Sequence, residues 1–241
     1  MKKKKLEIIE FFKAVKFTEE GHKYHVDGTP LGLSVSGLVK KFVKFTDFPA
    51  IARRTDTKFN YPEGSTQKLW DLKKEAACAK GNRAHFFGEM YAFHRTVKPN
   101  GPLEEAIVKF WKSLPKHIVP VFTELEMYHK RKMFGGTADI ILYNTRTEKF
   151  IIADYKTNEE LFNNFAGKKL TGTFKFLRED NFNKYQIQFS SYQVLLEQVP
   201  GIEVERRVLV WLKPDGNFKR LDCADYTSEI RNYLINNEVC Q

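Results

Sequence analysis

Cysteine is scarce in this chain: the 241 residues hold three, Cys78, Cys223 and Cys240, with no regular spacing. So few thiols do not make a disulfide framework, and a chain without one suits a reducing compartment. No apolar run approaches the length needed to span a bilayer. The opening lysines resemble a signal peptide only briefly, because Glu7 and Glu10 interrupt the apolar stretch that follows. The same acids speak against a mitochondrial targeting peptide. Linkers are missing too. No Ser/Gly-rich segment, repeat or low-complexity run divides the chain, so residues 1–241 read as one domain long enough to bury a full core.

What is plentiful is positive charge next to aromatic rings. Lys and Arg number 40 against 30 Asp and Glu, a net +10. A basic surface attracts polyanions through phosphate neutralisation and counterion release. Lys2 to Lys5 supply four of those charges, however, and fit a flexible solubilising tail equally well. In residues 157–180, Lys168, Lys169, Lys175 and Arg178 alternate with Phe162, Phe165, Phe174 and Phe176. Either the rings stack on bases while the cations track a phosphate backbone, or the phenylalanines anchor a long loop to the body. A second stretch, from Lys40-Lys41-Phe42-Val43-Lys44-Phe45 to Arg53-Arg54, fits a wall or arch over a site. It also fits an amphipathic helix burying Leu38, Val39, Phe42 and Val43.

The segment from 136 to 157 says most about chemistry. Gly136-Thr-Ala-Asp139-Ile-Ile-Leu-Tyr143, a polar link, then Phe150-Ile-Ile-Ala-Asp154-Tyr-Lys156-Thr157 is the pattern of a hairpin with charge where its strands end. Alternation puts Asp154 and Lys156 on one face, and Asp139 can meet them from the neighbouring strand. Two converging carboxylates repel unless a cation neutralises them, and a hard divalent ion such as Mg²⁺ or Mn²⁺ does so. The plainer alternative is a surface ion pair between Asp154 and Lys156 with Asp139 as a cap.

Three neighbouring segments bear on that choice. Residues 75–95 read as a helix in which His85 and Glu89, four apart, share a face. The run Val119 to His129 reads as a strand on which Glu124 and Glu126 share a face, so either can point towards the acids. Tyr185, Gln188 and Tyr192 form one helical stripe, and the Gln188 amide there needs a partner: a phosphate, a metal-bound water or a backbone group.

Taken in order, Gly81-xxx-His85-xxx-Glu89, Glu124, Gly136-xx-Asp139, Asp154-Tyr-Lys156-Thr157 and Gln188-xxx-Tyr192 resemble the RecB-like branch of the PD-(D/E)XK nuclease superfamily. They are also similar to phage-type and mitochondrial genome-maintenance exonucleases. The likeness spans about residues 75–213. Ahead of it, Tyr24-His-Val-Asp27-Gly28, Ser34-Val-Ser-Gly-Leu38 and Trp70 are arranged as in phage-type members. Each motif is short, and the weight lies in five of them in sequence on the expected elements. Ala138 stands where the superfamily's name has proline.

The element order agrees with the fold the resemblance implies. Strands at about 119–129, 135–143 and 149–156, a helix near 181–198 and a strand at 204–212 follow the His85 helix, giving an α-β-β-β-α-β order. The expected fold is therefore α/β: a restriction-endonuclease-like core with a mixed central sheet flanked by helices, plus a largely helical N-terminal elaboration. Residues 1–74 would form that elaboration, with a hairpin around Gly21 to Leu33. Residues 75–213 would form the catalytic core, and 214–241 a C-terminal strand and a helix over Asp225 to Asn237.

By the same resemblance, His85, Asp139, Asp154 and the carbonyl of Tyr155 would hold Mg²⁺ or Mn²⁺. Lys156 would be catalytic, and Glu124 would contact the ion through water or assist the base. Gln188 and Tyr192 would orient Lys156 or the scissile phosphate. Thr157, Tyr185, Lys168, Lys169, Lys175 and Arg178 would meet the substrate. The iron–sulfur cluster of some relatives needs four thiolates, and three cysteines are too few. The implied activity is a DNA exonuclease acting on single strands or free ends in recombination, replication or repair, in the cytoplasm of a bacterium or a phage-infected host. A recombination or replication protein would be its partner. A flap or junction endonuclease and an inactive nucleic-acid-binding subunit are the alternatives.

Overall fold

The computed structural model describes residues 1–18 and 23–236. In chain order the elements are α1 (Lys2–Phe12), β1 (Val15–Thr18), β2 (Lys23–Val26), β3 (Thr29–Pro30), β4 (Leu33–Ser34), α2 (Val35–Lys41), α3 (Phe48–Phe59), α4 (Ser65–Phe93), α5 (Pro102–Lys112), β5 (Ile118–His129), β6 (Phe134–Asn144), β7 (Lys149–Lys156), α6 (Asn181–Leu196), β8 (Val204–Leu212), β9 (Phe218–Asp222) and α7 (Thr227–Asn236). The chain is thus α/β, with a mixed sheet between helical layers.

The main sheet runs β5-β6-β7-β8-β9. Its neighbours are antiparallel except β7 and β8, which are parallel and joined through α6. β4 adds a short parallel pairing, Leu33 with Phe134 and Ser34 with Gly135, at the start of β6. The central strands are apolar on both faces, as a sheet covered on both sides requires. One face packs Ile141, Tyr143, Phe150 and Ile152 against Ile187 and Leu195 of α6. The other packs Ile140, Leu142, Ile151 and Ala153 against Phe87 of α4 and Ile107 and Phe110 of α5.

Several expectations need correction. The His85 helix begins at Ser65, ten residues ahead of the predicted start, so a boundary at residue 74 cuts through it. Its start is fixed by Asp56 of α3, whose buried carboxylate accepts the N–H groups of Gly64 and Thr66. Helix α5 had no place in the predicted order, which becomes α-α-β-β-β-α-β. Lys2 to Lys5 are not a tail: they open α1, which buries Ile8 and Phe12, and Lys4 Nζ donates to the Glu148 carbonyl at 2.8 Å. The N-terminal part also carries an antiparallel sheet, β1-β2-β3, beside its helices. The β2–β3 turn uses Asp27 and Gly28, both at positive φ, the chemistry of a tight hairpin. Gly21 of the predicted hairpin and Asn237 of the predicted closing helix lie outside the described residues.

Candidate metal and active site

Pairing between β6 and β7 stops at Ile140 and Ala153. One step further along that register Asp139 stands opposite Asp154, where the strands have parted. On the other side of β6, Thr123 pairs with Ile140 and Leu125 with Ala138, so Glu124 falls opposite Asp139. Three adjacent strands therefore present three carboxylates in one row. Glu124 sits at φ +51°, the left-handed region that a side chain such as glutamate seldom occupies, and strain of this kind concentrates at functional positions.

His85 enters from α4. Its Nδ1 is 2.7 Å from Asp139 Oδ2 and its Nε2 4.0 Å from Asp154 Oδ1. One nitrogen or oxygen each of His85, Glu124 and Asp139 gathers within 4.8 Å. Lys156 Nζ donates to Asp154 Oδ2, and the face shared by those two residues is the predicted one. The pair is not a surface ion pair, since Asp154 is 1% exposed.

Two oxygens in this cluster are conspicuous. Asp139 Oδ2 and Asp154 Oδ1 are buried and have no hydrogen-bond partner. His85 Nδ1 stands 2.7 Å from the first of them, an ion-pair contact. Buried carboxylate oxygens are normally satisfied, so a pair left open beside an imidazole marks a place for a further group. An imidazole with carboxylates is a donor set that suits Mn²⁺ as well as Mg²⁺.

The electrostatics describe crowded charge. Burial pushes Asp154 up, the Asp139 carboxylate pushes it further, and Lys156 and His85 only partly offset this, leaving it at about 8. Asp139 is also raised by burial, but His85, through contact and charge, then the contact with Asp154 and then Lys156 outweigh that and hold it below the usual carboxylate range. Burial would lower His85, yet Asp139 and then Asp154 raise it to about 9. Glu124 rises to about 7, chiefly by desolvation and next by the Asp139 charge. Lys156 is buried, which favours its neutral form, but Asp154 and Asp139 prevail and keep it firmly protonated.

The remaining candidate residues divide. Tyr185 lies by the cluster: its ring centroid is 4.7 Å from Lys156 Nζ, and its hydroxyl donates to Asn158 Oδ1 at 2.7 Å. Asn158, unremarked in the sequence, also accepts Trp211 Nε1–H on its carbonyl. Gln188 finds one partner within its own helix, donating to the Tyr192 hydroxyl at 2.8 Å. Tyr192 is buried, and charge from Asp139 and Asp154 adds to burial in raising its pKa. Glu126 is occupied elsewhere, its Oε2 accepting the Phe17 N–H, which leaves Glu124 as the strand's contribution. Thr157 turns towards α4, 3.7 Å from where a Cβ on Gly81 would stand.

Lys168, Lys169, Lys175 and Arg178 stay on the loop between β7 and α6, where Lys169 and Arg178 bridge its two arms. None forms an ion pair with the clustered acids among the described residues. The interleaved phenylalanines serve two ends. Phe174 is wholly buried against Phe42 and anchors the loop, whereas Phe165 is 81% exposed. Phe165 and Lys168 line a cleft of about 440 Å³ with Phe48, Ile51, Trp70 and Lys184. The second basic stretch is helical only in part: α2 ends at Lys41, residues 42–47 are not helical and leave Phe45 exposed, and Arg53-Arg54 lie in α3. Leu38 and Phe42 are buried and Val39 and Val43 half-buried, as the plainer reading had it. No helix is long and apolar enough to cross a membrane among the described residues.

A scan of protein-family models finds no match to this chain, and a search of curated protein sequences finds none either.

Proposed function

We propose that this chain is a divalent-metal-dependent deoxyribonuclease, an exonuclease with a restriction-endonuclease-like core of the RecB-like type. The observation that carries this reading is the convergence of two buried carboxylates, Asp139 and Asp154, with His85 and Lys156 in one place, Asp139 Oδ2 and Asp154 Oδ1 being left without a hydrogen bond.

His85, Asp139 and Asp154 would hold Mg²⁺ or Mn²⁺, and Glu124 stands near enough to share in it or to bind through water. When bound, such an ion polarises a phosphate oxygen and lowers the pKa of a bound water. The other tasks belong to the protein. Lys156, buried and kept protonated by its neighbours, presents a fixed positive charge for the extra negative charge of the five-coordinate phosphorus. Glu124 titrates near neutrality, which suits a group that helps take a proton from the attacking water, the leaving oxygen on the far side of the phosphorus drawing its proton from solvent. The Tyr185 ring, held through its hydroxyl by Asn158, steadies the lysine. Exposed Lys169, Lys175 and Arg178, with the cleft around Phe165 and Lys168, give a phosphate backbone and its bases somewhere to lie.

The test is digestion of end-labelled linear and covalently closed circular DNA, single- and double-stranded, with Mg²⁺, Mn²⁺ or chelator. Metal-dependent loss of linear DNA with the circle intact is the expected result. Nicking of the circle replaces the exonuclease by an endonuclease, and DNA left whole throughout refutes the enzymatic reading.

A further inference from the structure

Tyr155 lies between Asp154 and Lys156 in sequence but faces the other way. Alternation puts it in the layer with α4 and α5, where it is fully buried. Its ring meets Phe110 edge-on at 6.1 Å between centroids and His85 edge-on at 5.9 Å. Its hydroxyl accepts Trp111 Nε1–H at 2.7 Å. Trp111 is steadied in turn by the Arg95 guanidinium, 4.2 Å from its ring centroid.

Opposite the ring, α4 has Gly88, and a Cβ built there would overlap the Tyr155 ring. Glycine weakens a helix interior relative to alanine, so its presence here has a local cause: it lets α4 settle onto the tyrosine. His85 is three residues earlier, on the same side of the helix one turn away. The height at which α4 rests on Tyr155 therefore governs how far the imidazole extends. In the structure that reach brings Nδ1 to 2.7 Å from Asp139 and Nε2 to 4.0 Å from Asp154.

We propose that Tyr155, braced by Trp111 and seated on Gly88, is a positioning residue that sets the reach of His85 to the two carboxylates. The proposal rests on His85, Asp139 and Asp154 being the ligands of a divalent cation. It gives the tyrosine side chain a task separate from that of its carbonyl. Loss of a group that supports a ligand from behind typically costs about tenfold to a hundredfold in metal affinity.

Mn²⁺ alone, titrated into the full chain, tests it. Gly88→Ala, Tyr155→Phe and Trp111→Phe are each measured in the wild-type background and in the His85→Ala background. Gly88→Ala should weaken Mn²⁺ binding about tenfold or more, and the two milder variants by a smaller factor, all through His85. In the His85→Ala background the three should cost nothing further. A crystal of metal-free Gly88→Ala should show the His85 to Asp139 contact lengthened. Should Gly88→Ala not fold, Trp111→Phe and Tyr155→Phe carry the test. Unchanged affinity in every folded variant, or equal losses with and without His85, overturns the proposal. Wild-type protein that binds no Mn²⁺ refutes the cation reading instead. The His85–Asp139 distance in the metal-free crystal then decides alone whether the tyrosine sets the histidine.

Discussion

Asp139 and Asp154 face each other across β6 and β7 one residue beyond the last paired position, Ile140 with Ala153. That placement explains their unequal chemistry. Two buried carboxylates this near do not both carry charge comfortably, so Asp139 keeps its charge beside His85 while Asp154 is pushed up to about 8.

Metal binding should release protons. In the metal-free protein His85 titrates at about 9 and Asp154 at about 8, so both hold a proton at pH 7. A ligand must give up its proton to coordinate, so apparent Mn²⁺ affinity rises with pH and levels off above the His85 value. The expected slope is roughly tenfold per pH unit for each proton displaced. Calorimetry at pH 7 in buffers of different ionisation enthalpy reads the count directly. Heats independent of buffer would mean that neither group is displaced.

Lys156→Ala should cut the cleavage rate severely while DNA binding survives. The ammonium meets charge that develops only in the transition state, and loss of one such donor costs on the order of a hundredfold to a thousandfold in rate. Single-turnover rates beside filter-binding affinities separate the two effects. Cleavage at the wild-type rate would remove the residue from the mechanism.

The ligands should rank. Asp139→Asn removes the one acid held charged in the metal-free state, so the rise in melting temperature produced by Mn²⁺ should largely vanish. His85→Ala leaves both acids in place and should be milder, with activity restored by excess Mn²⁺. Thermal shift across a Mn²⁺ series measures both. Full activity of His85→Ala without added Mn²⁺ would make α4 a purely structural neighbour.

Phe174 and Phe165 sit on the same basic loop and should behave oppositely. Phe174 is wholly buried, so Phe174→Ala should destabilise the protein by about 3–5 kcal/mol. Phe165 is largely exposed, so Phe165→Ala should leave stability unchanged and weaken binding of single-stranded DNA, by about 1–3 kcal/mol if a base stacks there. Urea unfolding and DNA titration distinguish them. Unchanged DNA affinity in Phe165→Ala would leave the ring without a binding task.

Much of this arrangement was legible in the sequence, for physical reasons that also explain what was not. The apolar runs of β6, β7 and β8 are short and bounded by turn residues, and their charged ends stand out because a strand end is where buried charge meets a cleft. The front of α4 left no such mark. Residues 71–80 are all exposed, so no apolar stripe announces the helix there. Helix α5 did leave a mark: Ala106, Ile107, Phe110 and Trp111 are buried at helical spacing, with Gly101-Pro102 ahead and glutamates in the first turn. Gly88 and Trp111 were opaque for another reason. Their importance lies in Tyr155, a neighbour across the fold that only the tertiary arrangement supplies. Glu124 lies between: its face was predictable, its left-handed backbone was not.

A crystal soaked in Mn²⁺ and measured at the manganese absorption edge bears most directly on the whole account. The expected result is an anomalous peak bonded to His85, Asp139 and Asp154. A map with no peak there, or with the ion bound elsewhere while these three side chains keep their present contacts, would contradict it.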